Sequence, residues 1–193
     1  MIRARNLSKR FGDKRVFDGV DLDVEHGGFL LVTGPNGSGK TTLLRVLAQL
    51  AAPTHGELVV PARETIGYLG HEPLVYRELT PLENLTLFGR LYRVPERDAR
   101  IGMLLERFDL WDVRHERVQT FSRGMQQRLG LCRVLLHEPA LLVLDEPFNA
   151  LDDAGAELLD RTFEELRNRA TFAVATHDPA RIARLATDRL AFV

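Results

Sequence analysis

Gly34-Pro35-Asn36-Gly37-Ser38-Gly39-Lys40-Thr41 decides the reading of this chain, because it satisfies G-x-x-x-x-G-K-[ST] in the setting that the pattern requires. Phe29-Leu30-Leu31-Val32 precedes it as an apolar, strand-like run, and Thr42-Leu43-Leu44-Arg45-Val46-Leu47 follows with spacing suited to a helix. Glycines let the backbone curl until successive N–H groups face inward around an anion. The helix start adds its positive end. In such a loop Gly34 to Thr42 form a phosphate cradle, Lys40 reaches the β- and γ-phosphates, and the Thr41 hydroxyl ligates Mg²⁺.

The composition narrows what can surround that loop. A chain of 193 residues, 45% apolar and 27% charged, suits one globular domain over 1–193 with a sizeable core. The net charge of -1 offers no basic field for a nucleic-acid partner. No uncharged apolar run approaches a membrane span, and Met1-Ile2-Arg3-Ala4-Arg5 lacks a signal-peptide core. The expectation is a cytoplasmic chain that reaches a membrane only through a partner. The single cysteine, Cys132, lies among Leu129, Leu131, Leu135 and Leu136 and reads as a small core residue.

Strand patterns occupy roughly 2–7, 20–25, 29–33, 57–60 and 66–70, and helical patterns dominate from 81 to 136. Thr80-Pro81-Leu82-Glu83 is a helix start, with Thr80 as N-cap and Glu83 closing a capping box. Leu141-Leu142-Val143-Leu144 reads as a strand covered on both faces, and Thr171 to Ala175 as another. Asp153 to Arg169 reads as a helix, Asp178-Pro179 as the opening of one more, and Arg189 to Val193 as a last strand. The expected fold is α/β, a P-loop core with an antiparallel β part and a helical insert near 77–137.

The buried strand ends in Asp145-Glu146. At the C-terminal edge of a parallel sheet these carboxylates emerge beside the phosphate loop. Asp145 can hold Mg²⁺ and Glu146 can face an attacking water.

Phe121-Ser122-Arg123-Gly124-Met125-Gln126-Gln127-Arg128, just before that strand, resembles the signature segment of the ABC ATPase family, a variant of L-S-G-G-Q followed by a Gln-Arg pair. The resemblance covers essentially the whole chain, with the motifs in the family's order. Asn149-Ala150-Leu151-Asp152 is similar to its D-loop, and His177 in Ala175-Thr176-His177-Asp178 matches its switch histidine. It implies that Phe11 stacks on adenine, that Ser122 and Gly124 close on ATP bound by a second copy, and that Asp152 joins that nucleotide interface. It also implies a catalytic set of Lys40, Glu146 and His177, a head-to-tail homodimer, and an integral membrane permease as partner. Taken alone, Phe11 is a core aromatic, Ser122 a plain N-cap and Trp111 a packing residue.

Two positions depart from the family. His71 stands where it has the Gln that senses Mg²⁺ and the attacking water, and Arg123 stands where it usually has Gly. Neutral imidazole offers one donor and one acceptor, so it imitates the amide in part. Tyr68-Leu69-Gly70-His71-Glu72-Pro73, Ser122-Arg123-Gly124-Met125 and Asp145-Glu146-Pro147-Phe148-Asn149, with the small size, most resemble the ATP-binding subunits of cytochrome c biogenesis heme exporters. That implies a peripheral subunit on the cytoplasmic face of the cell membrane. The alternatives are an ATPase of another exporter, moving a lipid, drug or ion, and a soluble ABC ATPase acting on DNA or ribosomes. A P-loop kinase leaves the Ser122 segment, the D-loop and His177 unexplained.

Overall fold

Ile2, Ala4 and Leu7 are buried along an otherwise polar run, and β1 forms there over Ile2–Phe11. β2 (Lys14–Val24) returns antiparallel to it and β3 (Phe29–Thr33) follows. β4 (His55–Val59) pairs antiparallel with the other edge of β1, giving a three-stranded sheet of order β2-β1-β4. β1 and β2 exceed the expected 2–7 and 20–25 because their distal halves lack apolar alternation. There Phe11 pairs with Lys14 across a turn in which Gly12 holds φ 56, and ladder hydrogen bonds carry the strands onward. The structure, a computed structural model, describes residues 1–192.

β3, β6 (Leu141–Asp145) and β7 (Thr171–Ala175) are buried almost throughout, as expected for strands covered on both faces. They pair in parallel in a five-stranded sheet of order β5-β6-β7-β3-β8, with β5 at Ile66–Leu69 and β8 at Asp188–Ala191. Val193, the expected end of the last strand, lies outside the described residues. Val32 and Asp145 both pair with Ala175, so β3 and β6 end at one edge on either side of β7. α1 (Lys40–Leu47) leaves β3 through the Gly34–Gly39 loop and packs Leu43, Leu44 and Leu47 into a core with Leu30, Val32, Leu141 and Val143. These elements belong to one compact unit made of 1–68, 140–147 and 166 onward.

A second unit comprises 69–139 and 148–165 and carries α2 (Pro81–Leu91), α3 (Arg97–Arg107), α4 (Arg123–Leu135) and most of α5 (Asp153–Leu166). α2 begins with the expected box: the Thr80 hydroxyl accepts the Glu83 N–H at 3.2 Å, and the Glu83 carboxylate accepts the Thr80 N–H at 2.8 Å. Leu85, Leu104, Leu105, Phe108, Leu129 and Cys132 are fully buried in this unit. The Cys132 thiol lies 3.5 Å from the Leu104 carbonyl, and burial pushes its pKa far up. Trp111 packs only in part, being 38% exposed with the Arg114 guanidinium 4.1 Å from its ring centre.

Two expected elements differ. α5 stops at Leu166, whose carbonyl takes both the Arg169 and Ala170 N–H groups around Asn168 at φ 69. No helix follows Asp178-Pro179, since 179–185 form turns. Ile182 and Leu185 are buried there at a spacing that imitates a helix face, and the Leu185 N–H bonds the Ile182 carbonyl as a single turn. β8 begins at Asp188. Among the described residues no helix is long and apolar enough to cross a membrane.

Candidate active site

The loop after β3 depends on backbone conformations that L side chains resist. Gly34 holds φ 141 and Gly39 φ 110, and a Cβ on Gly34 would sit 2.7 Å from the Phe192 carbonyl oxygen. Lys40 is 7% exposed, and its Nζ donates to the carbonyls of Gly34 at 2.7 Å and Pro35 at 2.9 Å. The ammonium is thereby held on the loop itself. The Ser38 Oγ is buried and, among the described residues, has no hydrogen-bond partner. A buried hydroxyl normally finds one, so this orphan in the loop fits a phosphoryl oxygen seated there. Pro35, Asn36, Gly37 and Thr41 are exposed, and Thr42 is half-buried in the first turn of α1.

β6 delivers Asp145, 3% exposed, against that turn, where the Thr41 Oγ1 donates to the Asp145 Oδ2 at 2.6 Å. Among the described residues no three His, Cys, Asp or Glu side chains assemble into a metal cluster. A hydroxyl and one carboxylate are nevertheless what Mg²⁺ takes when waters and substrate phosphates complete its octahedron. Thr41 and Asp145 fit that ion. Nearby, burial and then the Asp145 charge push the Tyr68 phenol up, so it remains a neutral hydroxyl.

Glu146 follows with φ 51, a left-handed conformation uncommon for glutamate, and its N–H bonds the Ala175 carbonyl at 2.9 Å. Such strain, of order 1–3 kcal/mol, persists only where the surroundings hold it. Here they do. The Glu146 Oε2 accepts the His177 backbone N–H at 3.2 Å and lies 2.7 Å from the His177 Nδ1. A carboxylate is an acceptor only, so Nδ1 carries the proton and Nε2 is left for another partner. His177 is 68% exposed at its side chain against 15% for Glu146, so the glutamate is fixed and the imidazole rim is open.

Phe11 is 57% exposed near the tip of the β1–β2 hairpin, with the Lys9 ammonium 4.8 Å from its ring centre. It is not a core aromatic. In the second unit the Ser122 Oγ caps α4 by accepting the Met125 N–H at 3.2 Å. Gly124 lies so close to the 149–152 loop that a Cβ would stand 2.7 Å from the Ala150 oxygen, and the Asp152 Oδ1 accepts the Gly155 N–H at 2.8 Å. His71 is exposed and lines a cavity of this unit. The first unit thus assembles Lys40, Thr41, Asp145, Glu146 and His177 on one sheet edge, while Ser122, Gly124, Asp152 and His71 belong to the second. Sequence reading placed Ser38 in the phosphate cradle but gave no site role to Tyr68, whose only signal is adjacency to segments already singled out.

Fold and loop define a P-loop nucleotide-binding protein of the α/β class. Residues 17–149 match the family model described as ABC transporter. The chain is 43% identical over 172 residues to the daunorubicin resistance ATP-binding protein DrrA3 of Streptomyces coeruleorubidus, covering 82% of this chain and 54% of that protein. It is 31% identical to the lantibiotic transport ATP-binding protein SrtF of Streptococcus pyogenes, covering 100% of this chain and 86% of that protein. A solved structure of an ATP-binding subunit of an ABC transporter superposes with TM-score 0.89 at 27% identity, covering 99% of this chain and 85% of that one. The dimeric post-hydrolysis state of the ATP-binding cassette MJ0796, bound to ADP and Pi, gives 0.86 at 28% identity, covering 100% and 94%. The chain belongs to the ABC transporter family, as one of its ATP-binding chains. It spans 54% to 62% of the length of four curated relatives that it matches.

Proposed function

We propose that this chain is the ATP-hydrolysing subunit of an ABC transporter, acting as a single ATPase domain over 1–193 on the cytoplasmic face of a membrane. Two copies pair head to tail through their nucleotide sites and drive an integral membrane permease. The observation that carries the proposal is the convergence of Thr41, Asp145, Glu146 and His177 beside the Gly34–Lys40 loop.

Each residue then has a defined task. The loop N–H groups and the Ser38 hydroxyl bind the β- and γ-phosphates of ATP, and Lys40 exchanges its carbonyl contacts for phosphate oxygens. Thr41 and Asp145 hold Mg²⁺, which when bound neutralises charge developing on the phosphoryl oxygens. Glu146, oriented by His177, positions the attacking water and takes its proton. His177 presents Nε2 to the γ-phosphate, and Phe11 stacks on the base. Ser122 and Gly124 cap the γ-phosphate held by the partner copy, with Asp152 at the same interface. His71 takes the part of the family's Gln.

For cargo we adopt the heme exporter of cytochrome c biogenesis, on the Gly70-His71 pair and the Ser122 to Met125 and Asp145 to Asn149 segments. A second reading, an exporter of drugs or peptides, is favoured by relatives named for daunorubicin resistance and lantibiotic transport. Heme staining separates them. Gene deletion, or a chromosomal Lys40→Ala copy, should remove covalently bound heme from c-type cytochromes and leave b-type cytochromes near normal. Normal staining in both strains overturns the heme assignment and selects the second reading.

A further inference from the structure

Tyr92, which ends α2, and His137, just beyond α4, stack with ring centres 4.2 Å apart and planes 12° from parallel. Both line a cavity of about 450 Å³ within the second unit, which shares no lining residue with the one beside His71. The first turns of α3 supply a third wall, and Val94, Pro95, Met103 and Leu136 make the lining largely apolar. The turn from α2 to α3 forms one lip. There Arg93 holds φ 54 and Glu96 φ 45, left-handed conformations that L side chains seldom adopt and that persist only where the surroundings impose them.

Arg100 is the polar group built into this lining. Its Nη2 donates to the Leu135 carbonyl at 3.1 Å, and its Nη1 lies 3.1 Å from the Glu138 carboxylate, so the guanidinium is held in place. A guanidinium carries five N–H donors, and among the described residues the Arg100 Nε is buried with no hydrogen-bond partner. The side chain is still 23% exposed, so part of the fork can be reached. Its charge is balanced by Glu138, and the lining holds one further acid, Glu96. An added anion would face both carboxylates, and an added cation would face the guanidinium. A neutral oxygen acceptor meets neither objection. The size matches small-molecule sites, roughly 300–1,000 Å³, whereas a partner's helix, about 10–12 Å across, does not fit.

We propose that this cavity binds a small, uncharged organic molecule with an apolar body and a carbonyl-type oxygen. The body lies against Val94, Met103 and Leu136, where it removes apolar surface from water, and the oxygen accepts from the Arg100 guanidinium. The ligand bridges the end of α2, the start of α3 and the segment that follows α4, so its binding stabilises the folded second unit. None of the residues given a task in ATP hydrolysis lines this cavity, and binding here depends neither on that reading nor on the cargo.

Three probes share one apolar body and differ in charge: phenylbutanamide, phenylbutanoate and phenylbutylammonium. Each is titrated into the whole chain at constant ionic strength, with and without ATP, and followed by ligand-observed NMR and by thermal unfolding. The amide should bind saturably at one site and raise the unfolding temperature, with or without ATP, and the two charged probes should bind at least about threefold more weakly. Ala99→Trp, at an exposed position of α3 on the cavity wall, fills the space and should weaken the amide roughly tenfold or more. Arg100→Met keeps an apolar stem but removes the donors and frees Glu138, so it should weaken the amide and strengthen the ammonium, an exchange that simple loss of packing would not produce. Circular dichroism of both variants should match that of the parent. The proposal is overturned if the amide does not bind, if Ala99→Trp leaves its affinity intact, or if either charged probe binds the parent as tightly. ATP hydrolysis by the unmodified chain is scored separately, so a failed ATPase reading shows there and not in these titrations.

Discussion

Glu146→Gln isolates the chemistry proposed for the strand edge. The amide has almost the shape of the carboxylate, and its oxygen can still accept the His177 backbone N–H, now 3.2 Å from Oε2, and the Nδ1–H, now at 2.7 Å. The fold is therefore retained. Two hydrogen bonds lose their charge assistance, a stability cost of about 1 kcal/mol for a side chain that is mostly buried. Catalysis loses more, because a neutral amide cannot take a proton from water. Loss of a general base lowers turnover by roughly 10²–10⁴, equivalent to about 2.7–5.4 kcal/mol of barrier. Nucleotide affinity should stay near that of the parent, since Lys40, Ser38 and the loop amides are untouched. Steady-state phosphate release at saturating ATP and Mg²⁺ reads the first quantity, and equilibrium nucleotide titration the second. His177→Ala should also slow turnover, and the double variant should be slower by far less than the product of the two effects, because the two side chains act as one unit. Turnover of Glu146→Gln within about threefold of the parent would refute the assignment.

Two further outcomes test other parts of the structure. Gly39→Ala forces an L side chain to φ 110 with its Cβ 3.0 Å from the Val16 Cγ1, so the loop must shift and nucleotide affinity should fall at least about tenfold; unchanged affinity contradicts the loop geometry. Burial raises the Cys132 thiol well above its usual value of 9.0, so the native chain should resist a disulfide reagent at pH 8 that labels the unfolded chain at once. The same shift means that the stability it brings is complete below that value and is lost as pH rises, because the unfolded thiol ionises while the folded one does not. Native labelling as fast as unfolded labelling contradicts the packing.

What could be read from sequence was what local chemistry determines. The phosphate loop, the Thr80–Glu83 box and the buried Leu141–Asp145 strand each declare themselves within eight residues or fewer. The distal halves of β1 and β2 were not legible, because pairing with a neighbour and not side-chain alternation holds Lys9 to Phe11 and Lys14 to Phe17 extended. The 179–185 segment misled for the opposite reason. Buried Ile182 and Leu185 have helical spacing, but 179–185 form turns before β8 begins at Asp188, so spacing alone did not decide the backbone. Within the site, Asp145 and Glu146 were legible as a strand end, whereas the contact from Glu146 to His177, 31 residues on, follows from both strands ending at one sheet edge. The Ser38 orphan and the cavity shared by Arg100 and His137 are properties of the assembled chain, and no sequence window contains them.

The Ser122 segment has a task only if its target is a nucleotide held by another copy, so assembly tests the central claim most directly. Sedimentation velocity of the Glu146→Gln chain should show monomer without nucleotide and a shift to dimer with ATP and Mg²⁺, because slow hydrolysis preserves the sandwiched state. Adding Ser122→Arg, which places a long cation at the α4 cap where the partner's phosphate should sit, should abolish the shift. A Glu146→Gln chain that binds ATP yet remains monomeric, even with its membrane partner present, would contradict the two-copy ATPase.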